Sequence, residues 1–98
     1  MADRVLVTLD GEVRDADAPL LHADDFGVLR GDGVFETLLV RGGRARAVEL
    51  HLARLASSAS VADLPAPELD DWRMAIDIAV EEWGDAREGV LRLVYTRG

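Results

Sequence analysis

The chain has 98 residues with a formal net charge of −8, no cysteine, and 49% hydrophobic residues, enough for the modest core of one domain over residues 1–98. The negative charge argues against a nucleic-acid partner, because phosphate backbones are bound by basic surfaces. No segment resembles a signal peptide or a membrane span, so the sequence predicts a cytoplasmic protein without a disulfide framework.

The first half of the chain is predicted to form strands. Residues 4–9 make a β-branched strand, Asp10 and Gly11 supply a hairpin turn, and the return strand leads into an irregular loop over residues 15–25. The run VFETLLVR, residues 34–41, predicts a buried strand that ends at the Gly42-Gly43 turn, after which RARAV pairs back.

Helical periodicity begins at Glu49 and returns after two prolines. The first apolar face has a polar stripe of His51, Arg54 and Ser58 beside it, and the second helix precedes Gly84, a predicted C-cap. The apolar faces comprise Leu52, Leu55, Ala56 and Ala59, then Leu69, Trp72, Ile76, Ala79, Val80 and Trp83. With a last strand over residues 89–97, the order β-β-β-β-α-α-β predicts an α+β two-layer sandwich, an antiparallel sheet with two helices packed on one face.

The stretch RGDGVFE, residues 30–36, places two glycines at the start of a strand. Glycine weakens a strand interior unless a bulge or a close approach requires it. In one interpretation Gly31 and Gly33 admit a ligand or another chain while Phe35 points into a cavity. In the other, the glycines merely begin the strand and Phe35 packs in the core.

Arg54, in HLARLASSA, stands next to two serines on the polar stripe. Its guanidinium could hold a phosphate through a bidentate fork, braced by His51, or it could simply be solvated. His22, Asp24 and Asp25 match no strong metal-ligand spacing, so no metal site is predicted. All eleven basic residues are arginine, so the chain offers no side-chain amine for Schiff-base chemistry.

Three segments in this order, LHADDFGVLRGDGVFETLLVRGG, HLARLASSA and LRLVYTRG, resemble the N-terminal part of fold-type IV pyridoxal-phosphate enzymes. That family includes branched-chain aminotransferases, D-amino-acid aminotransferases and 4-amino-4-deoxychorismate lyases, and the first segment is most similar to the lyases of high-GC actinobacteria. The resemblance extends over essentially the whole chain. Its most specific part is G-D-G-V-F-E followed by H-x-x-R-L.

The resemblance implies a pyridoxal 5'-phosphate cofactor, a small-molecule substrate and a homodimer. Arg54 matches the arginine that grips the cofactor phosphate, and Phe35 matches an aromatic residue that faces the substrate. The glycines of the strand would leave room at the subunit interface. Arg30 replaces a tyrosine common in the aminotransferases, which suits a substrate with additional carboxylates.

The resemblance also implies a longer protein. Family members are nearly three times this length, and their catalytic lysine lies in a second domain, so this chain alone is expected to be inactive and to contain no catalytic residue. The implied activity is the folate-pathway conversion of 4-amino-4-deoxychorismate to 4-aminobenzoate and pyruvate. The alternatives are an aminotransferase for branched-chain or D-amino acids and a non-catalytic dimerisation or binding module.

Overall fold

A computed structural model describes residues 3–98. Its first elements are two short strands and a short helix, β1 (Leu6–Val7), β2 (Val13–Arg14) and α1 (Phe26–Arg30). They are followed by β3 (Gly33–Arg41), β4 (Arg44–Ala45), α2 (Val48–Val61), α3 (Leu69–Trp83) and β5 (Gly89–Thr96). Antiparallel strands with two long helices confirm the predicted α+β class. No helix among the described residues is long and apolar enough to cross a bilayer.

The main sheet has three antiparallel strands in the order β4-β3-β5. Strand β3 alternates between a buried and an exposed face, with Leu38 buried and Phe35 and Leu39 exposed. The predicted buried strand is therefore buried on one face only. This alternation is what an antiparallel sheet with helices on a single face produces.

The hydrophobic core lies between the sheet and the two long helices. Its buried members come from α2, α3 and both long strands, namely Leu38, Leu52, Leu55, Trp72, Ile76 and Leu93. Tyr95 extends this cluster, because its ring centroid lies 6.0 Å from that of Trp72 and its hydroxyl donates to the Pro65 carbonyl at 2.8 Å. The core thus fixes α2 over β3, where the polar stripe of the helix meets the strand.

The first hairpin departs from the expected single sheet. Strands β1 and β2 pair only with each other, Leu6 with Arg14 and Val7 with Val13, in a separate two-stranded sheet. The Gly11 turn lies against α3, since a Cβ there would be 3.4 Å from the Met74 side chain. Contact with α3, rather than with β3 or β5, explains the separation.

Helix α1 was not predicted from the sequence, because five residues are too few to show a helical period. Both of its ends carry clear capping residues. The Asp25 side chain accepts a hydrogen bond from the Gly27 N–H at 2.7 Å, and Gly31 ends the helix in the left-handed region at φ 64°. The backbone N–H of Phe26 also donates to the Gly98 carbonyl at 2.8 Å, which holds α1 beside the end of β5.

Candidate functional site

An open groove of about 480 Å³ lies where β3 meets the polar stripe of α2, and we call it the Arg54 groove. Its lining combines one aromatic ring, one carboxylate, two basic groups and three hydroxyls, from Phe35, Glu36, Thr37, His51, Arg54, Ser57 and Ser58. The structure therefore brings Phe35 of β3 together with Arg54 and the two serines that follow it on α2. His51 and Ser58 of the predicted polar stripe line the same groove.

Glu36 is the buried carboxylate that both basic side chains of this groove contact. Nε of Arg54 forms an ion pair with Oε1 of Glu36 at 3.0 Å, and Nδ1 of His51 lies 3.3 Å from Oε2. The Glu36 side chain is 7% exposed, whereas that of Arg54 is 62% exposed. Arg54 is thus neither freely solvated nor buried: one edge of its guanidinium is fixed, and the rest faces the open groove.

The chemistry available in the groove is recognition of an anion. A guanidinium carries five N–H donors in a planar fork, so an ion pair at Nε leaves the terminal amino groups of Arg54 for a ligand. The hydroxyls of Ser57 and Ser58 line the same groove one helical turn further along α2. Cationic and hydroxyl donors together match the oxygens of a phosphate group.

Phe35 projects from the exposed face of β3, so the alternative that it packs in the core is wrong. Its ring is 62% exposed, and the Arg92 guanidinium lies 5.2 Å from the ring centroid. Besides the Arg54 groove, Phe35 lines a second, shallower groove of about 200 Å³ between α1, β3 and β5. The phenyl ring therefore borders both cavities. That it faces a substrate stays a prediction.

Arg30 lies apart from the Arg54 groove, whose lining among the described residues does not include it. It is the last residue of α1, and its guanidinium stacks 4.3 Å from the Phe26 ring centroid. Its Nη2 is also 3.5 Å from Oδ2 of Asp32, and the side chain is 61% exposed. Because the Arg30 side chain itself is exposed and its contact to Asp32 is long, it can exchange these contacts for a ligand at little cost.

The two glycines of RGDGVFE have intramolecular explanations. Gly31 adopts φ 64°, the left-handed conformation that ends α1, with open space where a Cβ would point. At Gly33 a Cβ would lie 2.7 Å from the Tyr95 backbone carbonyl, closer than side-chain contacts allow. The close approach at Gly33 is therefore made by strand β5, and not by the ligand or second chain that one interpretation of the sequence had suggested.

Sequence analysis missed an ion pair that ties this motif to the last strand. Arg97 donates from Nε to Oδ2 of Asp32 at 2.8 Å and also donates to the carbonyls of Ala62 and Asp63 at 2.8 and 3.1 Å. Ala62 is the C-cap of α2, where a cation is favoured by the exposed carbonyls. The hydrogen bond to Asp32 raises the pKa of Arg97, so this arginine stays charged.

Glu36 was also missed, although the sequence contains a signal for it. In the alternating pattern of β3, Glu36 occupies the same face as Leu38 and Val40, both buried. An acidic residue among inward-facing positions indicates a buried carboxylate with a partner. Treating residues 34–41 as a uniformly buried strand concealed this alternation.

Two other regions show no comparable convergence of side chains. Asp25 caps α1, and among residues 3–98 no group of three or more histidine, aspartate or glutamate side chains is arranged to hold a metal ion. A cavity of about 530 Å³ between the N-terminal segment, α3 and β5 is lined by Arg4, Trp83 and Leu91, among others. Its Arg4 already pairs with Asp17.

Comparison with known proteins gives consistent matches over nearly the whole chain. Residues 33–98 match the family described as amino-transferase class IV. The chain is 57% identical over 96 residues to the bifunctional aminodeoxychorismate lyase / D-amino acid transaminase of Mycobacterium tuberculosis, covering 96% of this chain and 33% of that protein.

Solved structures give the same picture. The PLP-bound form of a hypothetical aminotransferase from Mycobacterium tuberculosis superposes with a TM-score of 0.94 at 57% identity, covering 97% of this chain and 34% of that one. The 4-amino-4-deoxychorismate lyase of Pseudomonas aeruginosa has a TM-score of 0.73 at 37% identity, covering 91% of this chain and 30% of the other. The chain thus spans about a third of the length of these relatives.

Proposed function

Because this chain belongs to the class IV aminotransferase family, we propose that it is the N-terminal part of a pyridoxal-phosphate enzyme that converts 4-amino-4-deoxychorismate to 4-aminobenzoate and pyruvate. The single observation that carries this proposal is the 57% identity over 96 residues to a relative named for that lyase activity and for D-amino acid transamination. The similarity to a solved 4-amino-4-deoxychorismate lyase supports it further.

The side chains of the Arg54 groove fit one end of the cofactor. Arg54 presents the free edge of its guanidinium, and Ser57 and Ser58 add hydroxyls, which is a donor set suited to a phosphate. The Phe35 ring at the border of the groove offers an apolar surface beside it. Bound there, pyridoxal phosphate would supply an electron sink, and this chain would supply binding and orientation.

The chain lacks one functional group that pyridoxal-phosphate enzymes require. None of its 98 residues is lysine, so no side-chain amine is available here to hold the cofactor covalently or to move protons. In this proposal, those tasks belong to the part of the enzyme that its relatives have and this chain does not span. The 98-residue chain alone would therefore be inactive.

Arg30 is the residue that we assign to substrate selection. Among residues 3–98 its guanidinium contacts only the Phe26 ring and, at longer range, Asp32, so it can turn toward a carboxylate of the substrate. A bidentate pair with a second carboxylate would favour aminodeoxychorismate, which has two, over simple D-amino acids. D-amino-acid transamination is the second candidate, since the relative in Mycobacterium tuberculosis is named for both activities.

We further propose a cytoplasmic homodimer. The outward face of the sheet exposes Phe35, Leu39, Val90 and Val94, and β5 is an edge strand of the sheet. Exposed apolar side chains of this kind favour association, which in most oligomers has two-fold symmetry.

The test uses the full-length protein, purified with pyridoxal phosphate. Incubation with aminodeoxychorismate is expected to release 4-aminobenzoate and pyruvate in equal amounts, while D-alanine with 2-oxoglutarate measures transamination in parallel. Transamination without any 4-aminobenzoate would support the second candidate. Failure of both assays, with no cofactor retained, would contradict the proposal.

A further inference from the structure

Glu36 is the only buried charged or polar residue among residues 3–98, with 6% of its surface exposed. It stands on the helix-facing side of β3 beside the core residue Leu38, and its cross-strand neighbour on β5 is the buried Leu93. Burial of a carboxylate is strongly unfavourable unless hydrogen bonds and an opposite charge compensate it. A hydrophobic residue would satisfy this position without such compensation, so the carboxylate needs another explanation.

The two carboxylate oxygens of Glu36 contact different partners. Oε2 lies 3.3 Å from Nδ1 of His51, which is itself mostly buried, with 18% of its side chain exposed. Oε1 forms an ion pair with Nε of Arg54 at 3.0 Å. His51 thus fixes the rotation of the carboxylate, and the carboxylate fixes the rotation of the guanidinium.

We propose that Glu36 is a positioning residue that presets Arg54 for an incoming phosphate; this inference rests on the proposed function of Arg54. The ion pair with Glu36 engages the Nε edge of the guanidinium, which leaves the two terminal amino groups for a ligand in the groove that Arg54 lines. An arginine held in this way loses less rotamer freedom when a ligand binds. Glu36 therefore strengthens phosphate binding through Arg54, without contacting the phosphate.

Two simpler roles of Glu36 lead to different expectations. If the carboxylate only neutralised Arg54, its charge would oppose an anionic ligand, and removing that charge would tighten binding of the cofactor. If Glu36 only stabilised the fold, its replacement would affect every ligand equally, whether or not that ligand carries a phosphate. Positioning predicts weaker binding that is confined to phosphate-bearing ligands and that requires Arg54.

The experiment measures dissociation constants of the full-length apoenzyme for pyridoxal phosphate and for pyridoxal, which lacks the phosphate, by quenching of protein fluorescence. The variants are Glu36→Gln, Glu36→Asp, Arg54→Ala and the double variant Glu36→Gln/Arg54→Ala. Glutamine preserves shape but removes the charge, whereas aspartate preserves the charge but shortens the reach. Glu88→Gln is the control, because Glu88 also pairs with an arginine Nε, that of Arg41 at 2.8 Å, and neither residue lines the Arg54 groove.

Positioning predicts that Glu36→Gln and Glu36→Asp each weaken pyridoxal phosphate binding by about three- to tenfold, the scale of one lost orienting polar contact. Pyridoxal binding stays within about twofold, and Glu36→Gln adds less than about twofold in the Arg54→Ala background. Both Glu36 variants are measured because either one suffices for the comparison if the other fails to fold.

Two results overturn the inference in distinguishable ways. If Arg54→Ala weakens binding but Glu36 variants leave it unchanged, tighten it, or weaken pyridoxal equally, then Glu36 does not position Arg54. If Arg54→Ala itself leaves pyridoxal phosphate binding unchanged, the phosphate assignment fails and the inference fails with it.

Discussion

Arg97 and Asp32 join β5 to β3 at one end of the main sheet, through a 2.8 Å hydrogen bond from Nε to Oδ2 and a 3.0 Å bond from the Arg97 N–H to the Asp32 carbonyl. The same guanidinium caps the carbonyls at the end of α2. The Arg97 side chain therefore links the residue that precedes β3 to the C-terminal end of α2, the helix that carries Arg54. The pair is a candidate for holding the geometry of the groove.

We expect Asp32→Ala to destabilise the full-length protein by about 1–2 kcal/mol, because it leaves Arg97 without its acidic partner. That change corresponds to a fall in melting temperature of about 2–4 °C, measurable by differential scanning fluorimetry. Asp24→Ala, an exposed aspartate of the preceding loop, is the control and should change stability by less than about 0.5 kcal/mol. Equal melting of the two variants would show that the Asp32–Arg97 pair adds nothing.

The two glycines of the motif should respond differently to substitution. At Gly33 a Cβ would meet the Tyr95 carbonyl at 2.7 Å, so Gly33→Ala should force β3 and β5 apart and lower stability by about 1–3 kcal/mol. At Gly31 there is open space but a φ of 64°, so Gly31→Ala should cost about 1 kcal/mol, and Gly31→Asn less. The melting temperatures of the three full-length variants, measured by thermal unfolding, give the order of their stabilities. A neutral Gly33→Ala would contradict the packing explanation.

Features that depend on residues close in sequence could be predicted, whereas contacts between distant residues could not. Alternation, periodicity and the turn glycines predicted the strands, both long helices and the Gly42-Gly43 turn, where both residues adopt positive φ. The pairing of Arg97 with Asp32 could not be predicted, since it joins residues 65 positions apart. Arg54 was identified by resemblance, but its buried partner Glu36 became visible only when the faces of β3 were assigned.

Arg30 should affect the choice of substrate more than the binding of cofactor. In the full-length protein, Arg30→Tyr is expected to lower kcat/KM for aminodeoxychorismate by about ten- to a hundredfold, the loss of one bidentate charge pair. Cofactor affinity should stay within about twofold, because Arg30 does not line the Arg54 groove in the described chain. Steady-state kinetics with both substrate classes tests this. Lyase activity untouched by the substitution would mean that Arg30 is only a surface residue.

The 98-residue chain should self-associate when it is produced alone. Val90 and Val94 are 74% and 58% exposed on the outward face of the edge strand β5, and unpaired edges with apolar faces favour association. Light scattering at micromolar concentration should give a dimer or larger species, and Val94→Lys should shift it toward monomer. A monomer without the substitution would favour the alternative of a self-sufficient binding module.

Arg54 carries the central claim, that this domain holds the phosphate of pyridoxal phosphate. Removing its charge-assisted contact eliminates about 1.5–3 kcal/mol of binding free energy, so Arg54→Ala should weaken cofactor binding by about ten- to a hundredfold. Arg54→Lys should recover only part of this, because the planar fork is lost. Arg41→Ala is the matched control, since Arg41 has a similar exposure and pairs with Glu88.

The most direct measurement is the ratio of dissociation constants for pyridoxal and pyridoxal phosphate, determined with the full-length apoenzyme and its Arg54→Ala variant. The phosphate contact predicts a ratio that falls by about ten- to a hundredfold in Arg54→Ala and stays unchanged in Arg41→Ala. An Arg54→Ala protein that kept the ratio of the unmodified enzyme would contradict the assignment of Arg54 to the cofactor phosphate.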